Sequence, residues 1–294
     1  MDEVPLAAVS RVPRSRSLGV LLAQLAPRTH DVDSNVDTAC QLVDDHPDAE
    51  LAVFGELYLQ SYALKGIAPI EVHSASGPIA ALRDCARRNR TGMVVGAAIK
   101  DDSGIANAAL CIDQTGEIAA IYRKVHLFGA ETRYFTRGDE YVVVKIAGVA
   151  LGVLICYDLD FPEAARAVAV AGAQLLVTAS ANMDPYAVDH ALYARVRALE
   201  NRLPHVYVNA VGQEGRLRFC GGSMAVDSDG SAIVELPAYE PSVRSVVVPL
   251  EHDPGDPRPD YLEERRPDVS TRIAGREPNP ELSPSSAARG HSRA

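Results

Sequence analysis

Short apolar runs rich in β-branched residues alternate along this chain with longer segments whose apolar positions recur at helical spacing. The short runs predict strands over 18–25, 51–54, 93–99, 108–113, 118–122, 150–156, 175–178, 205–210, 222–226, 231–235 and 245–249. The longer segments predict helices over 34–45, 77–88, 161–171 and 185–202. Interleaving of this kind is expected where helices cover the faces of sheets. The joins at 101–104, 114–116 and 227–230 are short and end in glycine, as hairpin turns do, so part of the sheet should be antiparallel. No G-x-G-x-x-G follows the first run, which disfavours a parallel dinucleotide-binding sheet. The fold class is mixed α/β.

Composition narrows this picture modestly. The 294 residues are 47% hydrophobic, enough for one large core. A formal charge of -10 disfavours partners with phosphate backbones or anionic lipid surfaces, so neither nucleic acid nor membrane is expected. No apolar run approaches the roughly 18 residues that a membrane span needs. Arg11, Arg14 and Arg16 precede the run 18–25, but Gln24 interrupts it, Pro27 ends it, and no small-residue cleavage site follows. Residues 1–17 therefore read as an N-terminal extension rather than a secretory signal. Seven prolines gather after Glu251 among few apolar residues, so 18–270 reads as one domain and 271–294 as a disordered tail. The five cysteines are odd in number and scattered, with no C-x-x-C, which fits a reduced, cytoplasmic protein without disulfide framework or zinc ribbon.

Candidate chemistry begins where the apolar run 152–155 delivers Cys156, followed by Asp160, Pro162 and Glu163. Asp160 as N-cap with Glu163 three residues on matches a capping box, and Pro162 suits a first helical turn. A thiol on a strand-to-helix turn sits among outward-facing N–H groups, which favour thiolate and oxyanion. Taken alone, Cys156 reads more readily as a small core residue. Two other runs end in reactive groups: Leu51 to Phe54 leads to Glu56, and Ile121 to Arg123 leads to Lys124. A thiol hydrolase needs a base for the thiol proton and a cation for the developing oxyanion. Either residue by itself would more commonly be a solvated surface charge.

The three segments Phe54-Gly55-Glu56-Leu57, Tyr122-Arg123-Lys124-Val125-His126-Leu127 and Ile155-Cys156-Tyr157-Asp158-Leu159-Asp160-Phe161-Pro162-Glu163, in this order, resemble the signatures of the nitrilase, or carbon-nitrogen hydrolase, superfamily. Glu131, in Glu131-Thr132-Arg133-Tyr134-Phe135 before Gly138-Asp139, resembles the family's second glutamate, with an exposed loop carboxylate as the alternative. Arg197-Ala198-Leu199-Glu200-Asn201 and Arg265-Arg266-Pro267 extend the likeness. It implies a four-layer αββα sandwich assembled as a homodimer or larger homo-oligomer. It further implies catalysis by Glu56, Lys124, Cys156 and Glu131, with no metal or organic cofactor. Tyr62, Tyr157, Asn182 and Met183 match loop positions that would line the substrate pocket.

Departures from the family pattern bear on the substrate. Asp160 stands where arginine is common, so an anionic substrate would be repelled if this side chain reaches the pocket; as a helix cap it would turn away. Cys156-Tyr157-Asp158 rather than Cys-Trp-Glu favours amides over nitriles. The expectation is a hydrolase of small neutral or cationic amides, with N-carbamoyl compounds or nitriles as alternatives. A non-catalytic binding or regulatory protein on the same fold is the alternative of another class. Gly221-Gly222-Ser223 superficially suggests a serine nucleophile, but no G-x-S-x-G occurs. Neither H-x-H nor H-E-x-x-H occurs, which disfavours a metal-dependent amidohydrolase.

Overall fold

The computed structural model describes residues 16–71, 77–251 and 257–267. The expected extension up to residue 15 and the expected tail at 271–294 lie outside them. The described residues through Arg258 form one compact unit, and those from Pro259 a second. In the second, the N–H groups of Leu262 and Glu263 donate to the Asp260 carboxylate at 2.8 and 3.1 Å, closing a short turn.

The first unit runs β1 (Ser17–Gln24), α1 (Val32–Asp45), β2 (Leu51–Phe54), β3 (Ile70–Glu71), α2 (Pro78–Asn89), β4 (Gly92–Asp101), β5 (Gly104–Ile112) and β6 (Ile118–Arg123). It continues with β7 (Val142–Ile146), β8 (Val149–Ile155), α3 (Pro162–Val170), β9 (Leu175–Ser180), α4 (Ala187–Asn201) and β10 (His205–Asn209). The last strands are β11 (Val211–Glu214), β12 (Leu217–Cys220), β13 (Met224–Val226), β14 (Ala232–Glu235) and β15 (Ser242–Pro249). One sheet has the order β15-β1-β2-β4-β5-β6, with β3 beside β4; the other has the order β14-β13-β10-β9-β8-β7. Pairs β1·β2, β2·β4, β8·β9 and β9·β10 are parallel, and all three expected hairpin joins connect antiparallel neighbours.

Side-chain alternation along the strands builds the layers. Val20, Leu22 and Val53 of the first sheet join Val153, Ile155, Val177 and Val206 of the second in one core between the sheets. Leu21, Ala23 and Ala52 point the other way, against Val36 and Ala39 of α1 and Ile79 and Leu82 of α2. On the far side, Leu154 and Leu176 pack against Ala164 and Val168 of α3, and Tyr207 and Met224 against Ala194 and Ala198 of α4. Period-2 alternation with both faces buried produces the αββα sandwich.

Four strands, β3, β7, β11 and β12, are additional to those expected. β7 is an edge strand that forms a hairpin with β8, whereas β11 and β12 are a short ribbon whose mixed polarity carries no clear alternation. The strand expected from residue 222 begins at Met224, because Gly221 and Gly222 are in left-handed backbone (φ 62° and 68°). Ser223 is buried there, its hydroxyl accepting from the Asn209 N–H at 2.8 Å, so it offers no exposed nucleophile. The capping-box expectation is also corrected. Residues Cys156–Asp160 form a 3-10 helix, and α3 starts after Phe161 without a side-chain cap. Pro162 supplies the preset first-turn backbone instead.

Candidate active site

Glu56, Lys124 and Cys156 each follow directly on, or within two residues of, the end of a strand: β2, β6 and β8. The Glu56 N–H donates to the Ser180 carbonyl at the end of β9, fastening the two sheets together at this edge. Gly96 on β4 makes the approach possible. A Cβ there would lie 2.2 Å from the Gly55 carbonyl oxygen and 2.7 Å from the Glu56 Cα, which no side chain tolerates.

Lys124 Nζ lies 2.5 Å from Glu56 Oε1 and 2.8 Å from Glu131 Oε1, with all three side chains buried. Asn107 Nδ2 donates to Glu56 Oε1 at 2.7 Å and the Ala181 N–H to Oε2 at 3.0 Å. The Phe128 N–H donates to Glu131 Oε2 at 3.1 Å, and the Tyr62 hydroxyl to Glu131 Oε1. Glu131 is therefore no exposed loop carboxylate. A buried cation between two carboxylates holds both in fixed rotamers, because losing either partner would strand an uncompensated charge.

Leu57, Ser61 and Cys156 have left-handed φ of 49°, 65° and 44°, although none is glycine. Such backbone costs of order 1–3 kcal/mol per residue and concentrates at functional sites. Asp158 holds the Cys156 turn in this conformation. Its carboxylate accepts from the Ile155 N–H at 3.1 Å, the Tyr122 hydroxyl at 2.8 Å and the His126 N–H at 2.9 Å. It thus joins the cysteine turn to the segment that carries Lys124. Ser180 at the end of β9 and Ala181 just after it adjoin Cys156 and oppose the rise of its pKa. Ser180 Oγ accepts from the Tyr207 hydroxyl at 3.2 Å, and Tyr207 meets His190 Nδ1 at 3.1 Å.

Burial and charge set the protonation balance. Burial pushes the Glu56 carboxyl up to about 7, against the opposing pull of Lys124. For Lys124 burial works against the ammonium, but Glu56 and Glu131 outweigh it and hold its pKa above the usual lysine value. Burial, then the Glu56 charge, pushes the Cys156 thiol well up, while Lys124, Ser180 and Ala181 oppose them. The thiol is thus a poor spontaneous thiolate lying beside a carboxylate suited to take its proton near neutral pH.

A cavity of about 280 Å³ opens over Cys156, and Tyr62, Tyr157, Asp160, Asn182 and Met183 all line it. Asp160 does not cap a helix: its Oδ1 lies 3.2 Å from His190 Nε2 at the cavity wall. Asn182 is committed to the wall, its Nδ2 donating to the Tyr186 carbonyl at 3.1 Å. Phe128, Tyr186, Asp189 and His190 line the cavity as well, and sequence reasoning missed them. Phe128 packs edge-on against Tyr157 and Tyr186, with ring centroids 5.2 and 5.9 Å apart. Helical spacing placed Asp189 and His190 on a helix but could not say which face met the cavity. Among the described residues, no group of three His, Cys, Asp or Glu is arranged to hold a metal ion, and no helix is long and apolar enough to cross a membrane.

Comparison with known proteins adds an independent line. Residues 20–252 match the carbon-nitrogen hydrolase family. The chain is 36% identical over 250 residues to an (R)-stereoselective amidase from a Pseudomonas species, covering 83% of this chain and 90% of that one. It is 31% identical over 266 residues to a probable nitrilase from Schizosaccharomyces pombe, covering 86% and 97%. Among solved structures it resembles the amidase from Nesterenkonia sp. AN1, with 30% identity, a TM-score of 0.75 and coverage of 88% of this chain and 98% of that one. A mutant of that amidase has been captured with the acetamide moiety of fluoroacetamide added covalently at its active-site cysteine, and another mutant in complex with butyramide.

Proposed function

Since the chain belongs to the carbon-nitrogen hydrolase family and is a cysteine-dependent amidase, we propose that Cys156 is its nucleophile and that small neutral or cationic amides are its substrates, cleaved to acid and ammonia. The observation that carries the reading is the buried Glu56–Lys124–Glu131 set, whose Glu56 and Lys124 charges act on Cys156, a lining residue of the cavity. Glu56 takes the thiol proton, and the sulfur attacks the amide carbonyl. Lys124 and the Tyr157 N–H stabilise the tetrahedral oxyanion, while Glu131 fixes Lys124 and the substrate amide. Glu56 then returns the proton to the leaving ammonia, and a thioester remains on Cys156. Water activated by Glu56 releases the acid.

The cavity wall supports the substrate charge. Asp160 and Asp189 line it together with aromatic rings, and neither lysine nor arginine is among its lining residues. An anionic substrate would meet carboxylates there, whereas a neutral or cationic one would not be repelled. Butyramide and the acetamide moiety held by the Nesterenkonia amidase are small neutral groups of compatible size. Self-association belongs to the same proposal. Val188 and Leu192, one turn apart on α4, are 77% and 57% exposed, and Val170 on α3 is 58% exposed; apolar side chains this exposed are of the kind a second copy covers. The five free thiols suit a reducing, cytoplasmic setting.

Ammonia release from a panel of neutral, cationic and anionic amides and N-carbamoyl compounds tests the proposal, with Cys156→Ala as control. Neutral or cationic amides should turn over, and the alanine variant should be inactive. Preference for anionic or carbamoyl substrates would overturn the substrate reading, and residual activity in Cys156→Ala would overturn the nucleophile.

A further inference from the structure

A second, smaller cavity of about 50 Å³ meets the proposed base from another side. Glu56, Ser61, Tyr62, Ala210 and Phe219 form its inner walls, and Ala26, Pro27, Thr29 and Gln213 lie towards its mouth. Cys156 is not among its lining residues, just as Glu56 is not among those of the larger cavity; Tyr62 lines both. Tyr62 is held in that position. Its hydroxyl donates to Glu131, and its ring packs edge-on against Phe219 at 5.8 Å. The volume is too small for an amide with its acyl group. It suits about three water molecules, at roughly 15 Å³ of such space each. Hydroxyl and amide groups of Thr29, Ser61 and Gln213 supply partners that water requires.

We propose that this chamber is a water site that feeds Glu56 during thioester hydrolysis, while the acyl group still occupies the larger cavity. The inference rests on the proposed thioester mechanism. In the step it serves, a water moves from the chamber past Glu56 to the acyl-enzyme, and Glu56 takes its proton as its oxygen bonds to the thioester carbonyl carbon. The carbon–sulfur bond then breaks and the proton goes to the Cys156 sulfur, leaving the acid and the free thiol. Acylation consumes no water, so blocking the chamber should slow only the second half of the reaction.

Ala26 is exposed, and a Cβ on Gly212 would lie 3.1 Å from the Ala26 Cβ. A large side chain at position 26 therefore narrows the mouth without entering the core. The experiment compares wild type, Ala26→Phe and Thr29→Phe, measuring thioester decay by rapid quench and intact mass after a single turnover of butyramide. The expected result is about tenfold slower decay in both variants, with ammonia release in the first turnover and kcat/KM unchanged. Decay as fast as wild type in two folded variants would overturn the chamber. If wild type itself releases ammonia without passing through a thioester, the underlying mechanism fails instead, so the two failures are distinguishable.

Discussion

At the residue scale, the environment of Glu56 has a direct kinetic consequence. Burial holds its carboxyl at about 7. As a base it must be ionised, and a raised acid is ionised only above its own pKa. The kcat/KM for a neutral amide should therefore fall about tenfold per pH unit as pH drops below about 7, and be flat just above it. An acid limb near 4.5, the ordinary carboxyl value, would show that the carboxylate is not held up by burial. Glu56→Gln should lower kcat/KM by about 100-fold or more, because the amide cannot take the thiol proton. Glu56, Lys124 and Cys156 were legible from their motifs. Phe128, Tyr186, Asp189 and His190 were not, since no local pattern marks a side chain that meets a cavity only through folding.

At the scale of elements, the site depends on strand ends brought closer than side chains ordinarily permit. Gly96 on β4 is the clearest case, because the segment after β2 crosses where its Cβ would be. Gly96→Ala should cost about 1–3 kcal/mol by overpacking, read as a lower thermal midpoint. By displacing Glu56 on the order of 1 Å it should also lower kcat/KM about 100-fold. A variant with wild-type activity would show that the β2 end can shift without moving the carboxylate. The same scale explains the error over Asp160. A capping box assumes that an α-helix starts after the aspartate, but the Asp158 carboxylate binds the Ile155 N–H and winds Cys156–Asp160 into a 3-10 turn. The helix start moves to Phe161, and Asp160 is left to face His190.

For the whole molecule, three layer contacts are internal: helix on sheet, sheet on sheet, and sheet on helix. On α3 and α4 the apolar side chains Val170, Val188 and Leu192 remain exposed, as does Val247 on β15. If a second copy covers Val170, Val188 and Leu192, Val188→Lys should lower the mass measured by sedimentation equilibrium by half or more, since burying an unpaired ammonium in an apolar interface is costly. An unchanged mass would place the contact elsewhere or leave the protein a monomer.

By itself, the sequence determined the mixed α/β layering, most strand and helix positions, and the identity of the four buried polar residues at the centre of the site. The layering and the elements follow from local periodicity, which a linear chain displays directly, whereas the four polar residues were marked by the resemblance of their motifs to a known family. The tertiary structure alone decided that Glu131 shares Lys124 with Glu56, that Asp160 faces a cavity, and that Tyr62 lines two spaces beside the reacting groups. Each of these depends on residues far apart in the chain meeting at one edge of two packed sheets. Such a meeting is fixed by the packing of the layers, and no segment carries it alone.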